Sequence, residues 1–397
     1  MVEWKRNLGF LWAAQVFSLI GFSFALPFVP FYLQELGVSG REQVRLWSGL
    51  FNAGAGIPLA IATPIWGALA DRLGRKPMSL RASLGGALLL AFMGLARTPG
   101  MLLVFRVLQG VFTGTITANL TLAVAGTPER NQGFAIGLMN SAVFAGNTLG
   151  PLVGGLFADL FGFRRSFYLS SLSLLISFLI LLFVKEQFVR QPLRLRWPRF
   201  NLARSWSSWR PFLPVISLIA LLGLAGNLAV PIYPLLVQEI ALPGLGVATQ
   251  AGIVNAVAGL AVVLAGLLIG RLADRGGLLR LGTACAASAG VFLGTLAAAR
   301  SLWALIPLRA ASDFSFGGGD PILNILLARQ VGPERRGLAF GLAGSARSVS
   351  WSLAGMLGGV LSAYAGFPAV FLTGAALFLA TAGLLYRRAR RVPAAAG

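Results

Sequence analysis

The chain has 397 residues, of which 56% are hydrophobic and only 11% charged, with a formal net charge of +21. A water-soluble domain carries about 25% charged residues, so this chain cannot cover a surface facing water, and lipid must cover much of it. The pI of about 11.8 would suggest nucleic acid in a soluble protein, but the basic residues fall in the gaps between apolar runs, which argues against a nucleic-acid partner.

Apolar runs long enough to cross a bilayer recur from end to end. They predict helices at 8–31, 44–66, 79–97, 101–124, 133–157 and 165–184. A second set follows at 211–234, 248–270, 279–299, 302–328, 338–362 and 367–386. The expected architecture is all-α and integral to the membrane, with six helices in 1–184, six in 211–397 and a basic, Trp-rich linker over 185–210 containing Pro192 and Pro198. The first apolar run is too long for the core of a cleavable signal peptide.

Lysine and arginine placement orients such a chain, because cytoplasmic segments carry the excess. With a cytoplasmic N-terminus, 24 of these residues fall on the inner side and six on the outer. Both termini are therefore expected inside, which twelve helices permit. Arg106, Arg309 and Arg347 remain within helices.

The two halves repeat. Pro27-Phe-Val-Pro30 followed by Gln34-Glu35 matches Pro231-Ile-Tyr-Pro234 followed by Gln238-Glu239 at an offset of 204. Gly67-Ala-Leu-Ala-Asp71-Arg72 matches Gly270-Arg-Leu-Ala-Asp274-Arg275, and Phe105-Arg106 matches Leu308-Arg309, both at 203. Gly154-Gly155 matches Gly358-Gly359 at 204. Parallel repeats of this kind place a substrate site near mid-membrane.

Three segments carry candidate chemistry. Gly67-Ala-Leu-Ala-Asp71-Arg72-Leu-Gly74-Arg75-Lys76 joins helices 2 and 3. It reads as a conformational latch, with Asp274 and Arg275 as its copy, or as a charged turn that only orients the helices. Arg106-Val-Leu-Gln109-Gly110 lies on helix 4; an arginine within the membrane is costly and defaults to a functional role, unless it snorkels to the surface. Helix 5 carries Gly137, Gly146, Gly150-Pro151 and Gly154-Gly155. Small residues at this spacing permit close helix packing and the proline kinks the helix. A generic packing face is the alternative, but helix 11 has Ser350, Ala354 and Gly355 at the corresponding positions.

These segments resemble, in order, the signature loop, the helix-4 arginine motif and the antiporter motif of the major facilitator superfamily. With Trp4-Lys-Arg-Asn-Leu8 and Pro27-Phe-Val-Pro30, they look like its bacterial multidrug-efflux branch, over essentially the whole chain. The resemblance implies twelve helices in two pseudo-symmetric bundles, a monomer in the bacterial inner membrane, and drug–proton antiport. It also implies a role for Arg106 in proton transfer.

The chain has no histidine, and its one cysteine, Cys285, lies in an apolar run. Proton handling therefore falls to carboxylates, and neither a metal nor another cofactor is expected. No nucleotide loop or His-bearing metal motif marks an enzyme. Most acids lie at helix ends; Asp313 and Asp320 lie inside helix 10, seven residues apart and so on one face. Arg309 sits one turn before Asp313 and can pair with it, and both are candidates for proton coupling beside Asp320, Arg347 and Arg106. Asp320 and Arg347 sit at matching depths, so Asp320 can take up a proton and release Arg347; a static ion pair is the alternative. Helix 1 has no acid before Glu35, so anionic, zwitterionic and neutral small molecules weigh as much as cations. Gln15, Asn119, Asn140, Asn227 and Asn324 are candidates to line the substrate cavity or to bond helices together. A proton-coupled exporter is the leading expectation, favoured by the helix-5 pattern, with an uptake permease or narrow metabolite exporter and a membrane sensor as alternatives.

Overall fold

The computed structural model describes residues 3–186, 212–274, 276–331 and 336–391. The expected linker beyond Glu186, Arg275 and the side chain of Asp274 lie outside the described residues.

Helix 1 spans Glu3–Glu35, helix 2 Arg41–Leu73, helix 3 Arg75–Gly94, helix 4 Pro99–Ala125, helix 5 Glu129–Phe161 and helix 6 Phe163–Leu182. Helix 7 spans Leu213–Glu239, helix 8 Val247–Ala273 and helix 9 Leu278–Ala298. Each is long and apolar enough to cross a bilayer. Ala339–Arg390 is a tenth apolar stretch of 52 residues, more than twice the roughly 20 that one crossing needs. It breaks at Gly366, where φ is 78°, and so supplies helices 11 and 12. Helix 10, Leu302–Gln330, has 29 residues; with Arg309, Asp313 and Asp320 along it, it is not one of the ten apolar stretches. The chain is thus an all-α membrane protein; the described residues are consistent with twelve crossing helices and include no strand.

Several helices run further than the sequence pattern predicts, and one difference bears on function. Gly67–Leu73 is not a loop but the last two turns of helix 2. Gly74 alone separates it from helix 3; its N–H still bonds to Ala70 O at 3.0 Å and its φ of 98° makes the turn. The left-handed region accepts glycine without steric cost, so a single residue suffices to reverse the chain.

The described packing forms two units. One holds helices 1–6 together with Pro234–Ala256, the end of helix 7 and the start of helix 8; the other holds the rest of helices 7 and 8 and helices 9–12. In the first unit, helix 1 packs on helices 5 and 6, and helix 6 also on helix 3. Lipid tails are as apolar as leucine, so small and polar residues drive this association. Helix 6 buries Ser166, Ser170, Ser173 and Ser177 along one stripe. Ser173 and Ser177 donate to Phe17 O and Ala14 O of helix 1, each at 2.7 Å. In the second unit, Gly318 of helix 10 lies against Ile269 of helix 8, and Gly374 of helix 12 against Leu293 of helix 9.

The repeat extends to the backbone. Leu26–Phe28 and Val230–Ile232 are matching 3-10 turns beside the paired prolines. Positive-φ glycines recur as Gly40 and Gly244, Gly74 and Gly277, Gly162 and Gly366. Thr98 caps helix 4 and Ser301 caps helix 10, each accepting from the N–H three residues on. Helix 4 breaks the symmetry: it is interrupted between Phe112 and Thr115, with Gly114 at φ 117°, whereas helix 10 is continuous there. The carbonyls freed by this break are met by neighbouring helices. Trp66 Nε1 donates to Val111 O at 2.7 Å and Arg81 to Thr113 O at 3.4 Å.

Candidate functional site

Helices 10 and 11 bring together three of the residues singled out from the sequence. Arg347 donates to Asp320 through Nε at 3.1 Å and through Nη2 at 2.9 Å, and to Asn324 Oδ1 at 2.7 Å. Asn324 Nδ2 donates to Asp320 at 3.2 Å. Asp320 and Asn324 are one helical turn apart, so they present one polar face to Arg347. Pro321 follows Asp320 inside the helix, and a proline there removes a backbone hydrogen bond, leaving the turn that carries Asp320 easier to deform. The pair is open: the side chains of Arg347 and Asp320 are 34% and 43% exposed. A pair that is only partly buried strands less charge when it opens than a fully buried one.

The second pair on helix 10 differs in burial. Arg309 Nε lies 3.4 Å from Asp313 Oδ2, with side chains 8% and 20% exposed. The guanidinium also stacks on Tyr233, 3.7 Å from the ring centroid. Breaking a buried pair strands a charge and is strongly unfavourable.

In the first unit, Arg106 of helix 4 does not snorkel: it is 6% exposed. Its Nε donates to Phe51 O at 3.4 Å, Nη1 binds Gln109, and its guanidinium faces the Phe51 ring. Gln15 and Asn119 are fully buried and joined directly, Asn119 Nδ2 donating to Gln15 Oε1 at 2.8 Å. Beside them Ser18 donates to Thr115 at 3.0 Å. Gln15 Nε2 and Asn119 Oδ1 have no hydrogen-bond partner among the described residues. Asn140 is exposed on helix 5, and Asn227 donates to Gly223 O of its own helix at 2.7 Å. Gln15 and Asn119 thus bond to each other, and Asn227 to its own helix. A cavity of about 1340 Å³ opens at the end of the first unit that carries the N-terminus, lined by Trp4, Leu11, Asp71, Arg75, Lys76 and Glu186 among others.

The signature segment is anchored by an acid just beyond the end of helix 6. Glu186 accepts the backbone N–H of Arg75 at 2.8 Å and of Lys76 at 2.9 Å, one carboxylate oxygen each. The first N–H groups of a helix lack intrahelical partners, and Gly74 has no side chain to satisfy them. Arg75 also donates to Thr121 O at 3.1 Å, and Lys76 to Leu182 O at 2.8 Å. Asp71 and Arg72 are exposed in the last turn of helix 2, and Asp71 makes no ion pair among the described residues. Gly67 has open space around it.

The helix-5 motif splits into two faces. A methyl group on Gly146, Gly150 or Gly154 would collide with Leu19, Ser23 or Phe24 of helix 1. Gly155 instead faces Ala248 of helix 8, and Pro151 O lies where a side chain on Gly252 would go. Gly137 is exposed with nothing near it, so it takes no part in either contact. In the second unit Gly358 meets Leu228 O, repeating the contact of Gly154 with Phe24 O; Gly146 and Gly150 have no glycine counterpart.

Comparison with known proteins agrees with this architecture. The sequence pattern of the Major Facilitator Superfamily matches residues 11–245 and 215–396. The Multidrug resistance protein MdtG of Enterobacter lignolyticus (strain SCF1) is 32% identical over 394 residues, covering 98% of this chain and 94% of that protein. Its counterpart in Dickeya zeae (strain Ech586) is 33% identical over 394 residues, covering 98% and 96%. Among solved structures, an auto-inhibited POT family peptide transporter superposes with a TM-score of 0.79 at 15% identity, covering 98% of this chain and 97% of that one. The human organic anion transporter MFSD10 (TETRAN) superposes with a TM-score of 0.71 at 18% identity, covering 97% and 100%. The structural likenesses speak for the fold, and the sequence matches for descent: the chain belongs to the Major Facilitator Superfamily.

Proposed function

We propose that this secondary transporter exports drugs or other small amphipathic compounds in exchange for protons, by alternating access. The observation that carries the proposal is the half-exposed cluster of Asp320, Asn324 and Arg347 within the membrane-spanning part of helices 10 and 11. Ionised Asp320 holds Arg347. A proton on Asp320 removes the charge that holds Arg347 and leaves it only neutral acceptors, on Asp320 and on Asn324. The pair is thus a two-state element that protonation biases. The buried Arg309–Asp313 pair serves as fixed structure, and Arg106, held by Gln109 and Phe51, is a second candidate in the proton path.

Export is favoured over uptake by the helix-5 motif and by the relatives, which are named multidrug resistance proteins. The proposed working arrangement is a monomer in a bacterial inner membrane with both termini cytoplasmic. The halves 1–184 and 211–397, joined by 185–210, are the rocking bodies, and the turn at Gly74 with its copy at Asp274 and Arg275 is their latch. An uptake permease or a narrow metabolite exporter would use the same fold; a membrane sensor would bind its ligand without moving it.

The deciding experiment measures dye or drug accumulation in cells lacking their own exporters, with and without a protonophore. Lower accumulation that the protonophore abolishes is expected. In everted vesicles, Asp320→Asn should lose substrate-dependent proton movement; if it keeps it, the coupling assignment is wrong. Accumulation above that of control cells would instead mark an uptake permease.

A further inference from the structure

Helix 5 carries a stripe that the glycine–proline motif only begins. Pro151, Gly155 and Asp159 follow at intervals of four and lie on one face. Pro151 and Gly155 meet Gly252 and Ala248 of helix 8. Asp159 reaches the start of that helix: Oδ1 accepts Ala248 N–H at 3.1 Å, and Oδ2 accepts both Thr249 N–H and Thr249 Oγ1 at 2.6 Å. The carboxylate occupies the space a side chain on Gly246 would take. Gln250, fully buried, shapes the preceding loop by bonding Leu242 N, Leu242 O and Leu245 O at 2.7–2.8 Å. All of these residues belong to the first unit. In the proposed topology they lie at the outer face.

Two contacts flank this one. Gln34 and Gln238 exchange amide hydrogen bonds at 3.1 and 3.2 Å, and Arg45 pairs with Glu239 at 3.1 Å. The end of helix 7 and the start of helix 8 are therefore tied to helices 1, 2 and 5 by polar groups at three points. Burial of apolar surface between them gains little by itself, because lipid tails are as apolar as the side chains packed there. A carboxylate on a helix N-terminus meets donors with no other partner and the positive end of the helix dipole.

We infer that Asp159 is a positioning residue of the transport cycle, a charge latch that holds the outer end of helix 8 on helix 5 and must release it for the outer face to open. The strength suits the role: a side-chain cap shifts a two-state equilibrium by about tenfold, enough to bias it and too little to lock it. The inference rests on the alternating-access reading.

The test is a spin–spin distance measurement on the full chain in lipid nanodiscs, after Cys285→Ala, with labels at the exposed Phe161 and Leu242. A dominant short distance is expected. Asp159→Asn should raise the long-distance population by about tenfold. Gly246→Ala, which displaces the carboxylate without removing it, should shift it the same way, and Thr249→Val by less. Asp159→Glu, which keeps the charge, should recover part of the short population. Unchanged populations in Asp159→Asn and Gly246→Ala would overturn the inference; if Asp159→Asn does not fold, Gly246→Ala and Thr249→Val decide it. The distances need neither substrate nor proton gradient, so a failure of the export reading would not be mistaken for a failure of the latch.

Discussion

Glu186 closes the N-terminus of the helix that begins at Arg75, its carboxylate accepting that residue's backbone N–H at 2.8 Å across 111 positions of sequence. Lys185 beside it exchanges bonds with Asn7, Asn7 Nδ2 donating to Lys185 O at 2.9 Å and Lys185 N to Asn7 Oδ1 at 3.2 Å. The end of helix 6 is thereby fixed to the starts of helices 1 and 3. Glu186→Ala removes the cap and should cost about 1 kcal/mol. A thermal-shift assay in detergent should show a melting point lower by about 2 °C, with Glu186→Gln between mutant and wild type.

The two acid–arginine pairs on helix 10 should respond oppositely to neutralisation. Asp313→Asn takes the carboxylate from a buried guanidinium and should destabilise the fold by up to about 3 kcal/mol, seen as reduced yield and early unfolding. Asp320→Asn touches a half-exposed pair and should leave yield and melting point within about 1 kcal/mol of wild type while abolishing proton coupling. Equal stability losses would contradict the division of roles.

Glycines of the helix-5 motif should not be equivalent. Gly154→Ala puts a methyl group on Phe24 O, and backbone cannot yield as a flexible side chain can. Helices 1 and 5 must separate, with a cost of about 1–3 kcal/mol. Gly137→Ala meets open space and should be neutral or slightly stabilising through helix propensity. Parallel transport and thermal-stability measurements on the two variants check this.

Topology can be tested directly. In a background with Cys285 replaced, cysteines at position 130 and position 300 should be labelled by an impermeant thiol reagent from opposite sides. The proposed orientation requires position 300 to react in intact cells and position 130 only after permeabilisation. The reverse result would invert the assignment of both termini.

Much of this protein is legible in one dimension because a bilayer imposes a one-dimensional rule. Every crossing needs about 20 apolar residues, so most spans can be read from composition, helix 10 with Arg309, Asp313 and Asp320 along it being the exception, and the offset of 203–204 between matching motifs shows that one half repeats the other. Helix geometry then predicts that Asp320 and Arg347 sit at one depth, and the structure places them in contact. What the sequence could not show is which partner a polar group finds across the fold. The carboxylates of Glu186 and Asp159 bind backbone N–H groups, and a backbone donor leaves no mark in a sequence. Gln15 and Asn119 read as two separate cavity candidates, yet they bond to each other, because side-chain direction depends on how helices 1 and 4 are rotated. The same rotation decides that Gly154 is pressed on Phe24 while Gly137 is free. Local hydropathy sets where the helices are; only their packing, through contacts between residues a hundred positions apart, sets which small and charged residues become joints.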